Sequence, residues 1–213
     1  MSHDGHNNYF TQFDLPLHLQ VDLKALEKAF YAQSRKLHPD RFAARPQAEQ
    51  DQALARSSEL NDAYRTLKDP ILRTQYLLSL EGVELEEQSK SATEAARTSG
   101  TEKKQLIPPE LLEEVFELNM QLMEMKSAKQ MGEDDPQLRA DLEAAKAGFD
   151  AKMRETQAEL EALWTKWDAA IDSKGAANDD VARAVAKDGM VALLNKRSYL
   201  RNLVRDVNAA LEA

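Results

Sequence analysis

The sequence predicts an all-α protein, and three observations carry that prediction. Leu, Ala, Glu, Lys, Arg and Gln dominate, and these residues pay least to enter a helix. Aromatic residues make up only 6% of the 213 positions, with seven glycines and seven prolines, too few turn formers for many short strands. Through most of the chain the apolar residues recur at every third or fourth position. The hydrophobic set of 42% is large enough to bury a core, and the length accommodates two small domains.

Residues 8–13 (Asn-Tyr-Phe-Thr-Gln-Phe) predict a short apolar helix ended by Leu15-Pro16. Asp22 is placed to cap the next helix. At about 100° per residue, Leu23, Leu26, Phe30 and Leu37 fall within roughly a 60° arc of it, with Lys24, Lys28 and Arg35 nearly opposite. Pro39 disfavours a helical residue before it, so this helix ends at His38. A polar loop follows. Ala53, Leu60, Tyr64 and Leu67 then mark the apolar face of a second long helix ending at Asp69-Pro70, and Ile71 to Leu80 forms a short last one. The two long helices are expected to pair antiparallel through their apolar faces, which turns the basic face of the first toward solvent. Such a face is most often merely solvated, but in an acidic chain it also suits an acidic partner.

Residues 81–107 are rich in Glu, Lys, Ser, Thr and Gln and hold few large apolar side chains beyond Leu85, so they read as a polar linker. The division expected is 1–80, the linker 81–107, and a helical bundle over 108–213, opened by Pro108-Pro109. Leu111, Val115, Leu118, Leu122 and Met125 follow the 4-3-4-3 spacing of a bundle seam. Leu112, Phe116, Met120 and Met123 form a second row about 100° round the helix. Either that row packs against another helix or it stays partly exposed as a binding surface, a role that methionine suits through its adaptable thioether. A long helix from Pro136 to about Ser173 carries Leu138, Leu142, Ala145, Phe149, Leu160, Leu163 and Trp167, with Lys174-Gly175 as its stop. Asn178-Asp179 is expected to cap the last helix, whose stripe includes Leu193, Leu200, Val204, Val207 and Leu211. Tyr199 falls about 100° from Leu200 on that helix. Short loops favour antiparallel neighbours, hence a three-helix bundle.

Composition excludes several functions. The formal charge of −9, from 37 acidic and 28 basic groups, argues against a nucleic-acid binder. Cysteine is absent, which removes disulfides, thiolate nucleophiles and thiolate-held zinc or iron–sulfur clusters. No segment approaches the roughly 20 apolar residues that span a bilayer, and the polar start shows no secretory signal, so a cytoplasmic protein without a membrane partner is expected. Of four histidines, three precede the first long helix; no Ser/His/Asp spacing or Gly-rich phosphate loop accompanies them, so no catalytic residues, metal or cofactor are expected. His3 and His6 read as terminus rather than metal ligands.

The loop after Leu37 begins His38-Pro39-Asp40. By composition such a triplet arises in roughly one such chain in a hundred, and its plain reading is a helix stop and turn. Its setting between a basic amphipathic helix and a second amphipathic helix, within about seventy residues, raises its weight. The surrounding words are Tyr9-Phe10 with Phe13 and Leu15-Pro16, then Leu37-His38-Pro39-Asp40-Arg41-Phe42. Asn61-Asp62-Ala63-Tyr64-Arg65-Thr66-Leu67, Asp69-Pro70 and Arg73-Thr74-Gln75-Tyr76-Leu77-Leu78-Ser79-Leu80 complete them. On these residues the chain resembles the J domain of DnaJ-type co-chaperones, and within that group the HscB type of iron–sulfur cluster assembly. Asp14 departs from the family's usual glycine.

The resemblance implies an N-terminal J domain, an antiparallel helical hairpin with short flanking helices, ahead of the C-terminal three-helix bundle. It implies docking on a DnaK/HscA-type ATPase chaperone through His38, Pro39 and Asp40, with Lys24, Lys28, Arg35 and Arg41 beside them, and no bond-breaking by the chain itself. It implies delivery of an IscU-type scaffold held by the bundle. The family pattern places Leu112 and Phe116 at apolar contact positions, Glu117 and Glu124 at an acidic edge, and Tyr199 at an aromatic position. Glu113 falls where an apolar residue is common and Met120 where an acidic one is, with Met120 as a candidate replacement. Delivery of a different dedicated client is the alternative; the Gly/Phe-rich and Cys-repeat segments of general-purpose relatives are missing.

Overall fold

In a computed structural model the described residues are 8–83, 85, 108–133, 135–173 and 177–212. Seven α-helices are described: α1 Tyr9–Gln12, α2 Leu23–Leu37, α3 Gln47–Lys68, α4 Pro70–Leu80, α5 Leu112–Met131, α6 Pro136–Asp172 and α7 Ala177–Glu212. Single 3₁₀ turns stand at Pro39–Arg41 and Pro109–Leu111. No strand occurs among the described residues, in accord with the all-α expectation. The expected linker falls mostly on residues outside the described set, as do His3, His6 and the Lys174-Gly175 stop.

Local chemistry sets the helix ends. Asn8 and Thr11 form a reciprocal capping box on α1. The Asp22 carboxylate accepts the Lys24 and Ala25 amides at 2.9 and 3.1 Å, and Asp69 accepts those of Ile71 and Leu72 at 2.8 and 2.9 Å. Gly132, in the left-handed region at φ 73°, closes α5, with the Glu133 amide bonded to Ala128 O. α7 is described from Ala177, and Asp179 and Asp180 lie in its first turn, where their charge suits the helix dipole.

The chain divides into two compact units. The first comprises residues up to 83 together with 163–187, which are the end of α6 and the start of α7. Within it α2 and α3 pack on each other through the expected faces. The Phe30 ring stacks on Tyr64 at 4.2 Å, and Leu26, Ala53, Leu60, Ala63 and Leu67 are buried. Leu23, expected on that buried face, is 48% exposed because it opens the helix at the end of its stripe. The second unit comprises 84–162 and 188–213. Its core gathers Leu111, Val115, Leu118 and Met125 with Leu138, Leu142, Phe149, Leu200, Leu203 and Val207. The predicted seam of α5 therefore lies inside.

Several words of the N-terminal motif hold this first unit together. The Arg73 guanidinium is buried and donates to the backbone carbonyls of Leu19, at 2.9 Å, and Leu67. Burial lowers its pKa from the ordinary guanidinium value, and the Asp168 and Asp69 carboxylates oppose that shift. Asp168, itself buried, accepts the Leu19 amide at 2.7 Å and the Gln20 amide at 2.8 Å. The Trp167 indole donates to Leu17 O at 3.0 Å, and Arg183 lies over the Trp167 ring while pairing with Glu81 at 3.1 Å. Arg73, Asp168 and the Trp167 indole thus meet partners in a low-dielectric setting where an orphan is costly, whereas Arg183 Nε is buried without a hydrogen-bond partner.

Candidate functional site

Pro39 ends α2 by its effect on His38, whose backbone leaves the helical region at ψ 129°. The chain then makes the 3₁₀ turn Pro39–Arg41, closed by the Arg41 amide on His38 O at 3.0 Å. That turn carries its two ionisable side chains outward: His38 is 58% and Asp40 88% exposed. His38 Nδ1 lies 3.4 Å from both the Asp40 amide nitrogen and Asp40 Oδ2. One nitrogen cannot accept from the amide and donate to the carboxylate at once, so the two contacts are alternatives. The Asp40 carboxylate is otherwise open to solvent, a free anionic acceptor.

Lys24, Lys28 and Arg35 are all exposed on the side of α2 away from α3, as their spacing predicts. Arg41 is exposed too, and one of its guanidinium nitrogens donates to Arg35 O at 3.2 Å, which links the loop to the last turn of α2. Lys24 and Lys28 enter no ion pair among the described residues. The expected site residues of the N-terminal region thus sit on one helix and the turn that ends it. Together they present cations and a carboxylate, with no convergent nucleophile and base. Among the described residues no three His, Asp or Glu side chains gather as a metal site. No helix of the described residues is long and apolar enough to cross a membrane.

The second candidate surface lies on α5. Its seam packs inward; the ion pair Glu114–Lys152 at 2.8 Å ties it to α6, and Glu110–Lys196 at 3.5 Å ties the 3₁₀ turn before it to α7. With α5 so oriented, Leu112, Phe116, Met120 and Met123 remain 53–70% exposed, so the row is not packed against another helix among the described residues. The physical reason is that each helix of a three-helix bundle has only two neighbours to cover it. Glu117 and Glu124 are exposed as well, and so is Glu113. Tyr199 differs: it packs partly against the core of its unit, and burial, with the nearby Asp206 charge, raises its phenol pKa.

Sequence reasoning passed over Asp168, Trp167 as an indole donor, and Tyr31. The first two have partners 149 and 150 positions away, and no local pattern signals that. Tyr31 was legible as the aromatic residue beside the basic stripe, and its exposure follows from that face pointing to solvent.

A model of the DnaJ domain family matches residues 15–76, which span the hairpin and its loop. Over nearly the whole chain the fold is similar to that of the chaperone HscB from Vibrio cholerae. That match has 25% identity and a TM-score of 0.60, covering 96% of this chain and 98% of the other. Human co-chaperone protein HscB is similar in fold at 23% identity and a TM-score of 0.58, with 98% of this chain and 84% of the other covered. Residues 15–76 therefore match the DnaJ domain family, within a fold that is similar over nearly its whole length to those of HscB-type co-chaperones.

Proposed function

We propose that this protein docks on a DnaK/HscA-type ATPase chaperone, stimulates its ATP hydrolysis, and brings to it an IscU-type scaffold during iron–sulfur cluster assembly. The observation that carries the reading is the outward turn His38–Asp40 at the end of a basic helix face. A partner's cationic group gains a fixed carboxylate in Asp40, and Lys24, Lys28, Arg35 and Arg41 steer an acidic surface toward it. Stimulation follows if these contacts favour the hydrolysing conformation of the partner, by their differential affinity and no more. The chain itself breaks no bond. Leu112, Phe116 and Met120, edged by Glu117 and Glu124 and joined by Tyr199, form the proposed scaffold contact. A different dedicated client is the second reading, favoured by Glu113 and Met120, which alter the usual order of apolar and acidic groups.

Steady-state ATP turnover by the purified chaperone, with and without this protein, tests the reading. Stimulation is expected from the unaltered protein and none from His38→Gln, with helix content unchanged by circular dichroism. Equal stimulation by the variant would overturn the assignment. Calorimetric titration of the scaffold separates the two clients: a Leu112, Phe116 and Tyr199 triple alanine variant should lose affinity by about two orders of magnitude or more.

A further inference from the structure

Thirteen aromatic side chains occur in the sequence, and among the described residues only Tyr31 and Phe116 are exposed. Phe116 lies in the α5 row. Tyr31 has no such explanation in packing, for it is 53% exposed on α2, away from the face that meets α3. At about 100° per residue, Lys24, Lys28, Tyr31 and Arg35 fall within roughly a 60° arc, so the ring stands along the edge of the basic stripe. Glu27 is the one acid within α2.

The ring is braced rather than loose. It packs tilted on Phe30 at 5.5 Å between centroids, and Phe30 stacks in turn on Tyr64 at 4.2 Å, over which Lys68 lies at 5.4 Å. Arg35 Nε donates to Tyr31 O at 3.3 Å, holding the neighbouring cation one turn along. Its hydroxyl has no hydrogen-bond partner among the described residues. A large amphipathic side chain with few torsions, already held in place beside a row of cations, has the makings of an interface hot spot.

We propose that Tyr31 is the affinity anchor of the basic face, seated in an apolar pocket rimmed by carboxylates on the ATPase chaperone. The inference rests on the co-chaperone reading and divides the labour within it. Lys24, Lys28 and Arg35 set encounter, Tyr31 sets how tightly the helix is held, and the His38–Asp40 turn biases the partner's conformation. A contact made equally in both partner states changes the concentration needed for stimulation and leaves the plateau alone.

The test is a titration of chaperone ATP turnover with the full-length protein. Tyr31→Ala is expected to raise the half-maximal concentration about tenfold or more while the plateau stays at the unaltered level. Tyr31→Phe should stay within about twofold, since the ring face carries the contact. Leu54→Ala, which removes an exposed apolar side chain on α3, should change neither quantity. An unmoved half-maximal concentration for Tyr31→Ala overturns the proposal, and so does a lowered plateau at an unmoved midpoint. If the unaltered protein gives no stimulation at all, the co-chaperone reading falls first and this inference with it.

Discussion

The buried carboxylate of Asp168 accepts the backbone amide of Leu19 at 2.7 Å across 149 positions of sequence. Its second oxygen takes the Gln20 amide, and the Leu19 carbonyl takes the Arg73 side chain. The segment between α1 and α2 is therefore anchored on both its donors and its acceptor, directly before the helix that presents the basic face. Rigid presentation of that face begins with this anchoring.

Removing the Asp168 carboxylate strands the buried Leu19 amide, frees the part-buried Gln20 amide and leaves the Arg73 charge less compensated. Asp168→Ala is expected to lower stability by about 3 kcal/mol in urea denaturation, and Asp168→Asn, which keeps one acceptor, by less. A loss within 0.5 kcal/mol for the alanine variant, roughly the scale of a surface substitution, would contradict this account.

The two stripes of α5 should separate cleanly by measurement. Leu118→Ala, in the buried seam, is expected to cost about 2–4 kcal/mol. Phe116→Ala, in the exposed row, should leave the melting curve nearly unchanged yet weaken scaffold binding by about tenfold to a hundredfold. Equal destabilisation by both would mean the row is covered in solution.

Asp14 is the one described residue other than glycine with positive φ, at 54°. Its short polar side chain tolerates that region, and a β-branched one does not. Asp14→Val should cost about 1–2 kcal/mol, whereas Asp14→Gly should stay close to neutral, the relief of strain offset by greater freedom in the unfolded chain. Chemical denaturation decides it, and a neutral valine variant would refute the left-handed assignment.

Alkaline pH should weaken the first unit through Tyr76. Its ring stacks on Tyr9 at 4.4 Å and its hydroxyl accepts the Tyr9 amide at 3.0 Å. Burial raises the phenol pKa above the ordinary 10.0, partly offset by that amide. The folded form thus favours the neutral phenol, so the contribution is complete below pH 10.0 and lost as pH climbs through the raised value. Thermal melts of Tyr76→Phe against the unaltered protein across that range should show a shallower alkaline decline for the variant. Parallel declines would exclude Tyr76 as the cause.

The amino-acid sequence by itself determined the helices and their ends, because those depend on neighbours within a turn or so. Asp22 and Asp69 cap where a carboxylate reaches the next free amides, and Pro39 and Pro70 mark the boundaries their rings impose. The exposed His38–Asp40 turn and the basic face follow from the same short-range logic, since pairing α2 with α3 leaves only one side for the cations. Tertiary structure alone decided the rest. Leu112, Phe116, Met120 and Met123 have the same spacing whether covered or bare, and the count of neighbouring helices left them bare. Tyr199 is partly covered by the core of its unit, a burial its spacing alone does not set. Asp168, Arg73 and Trp167 look like ordinary helical residues until partners far along the chain arrive; a hydrogen bond across 149 positions leaves no mark in any local pattern.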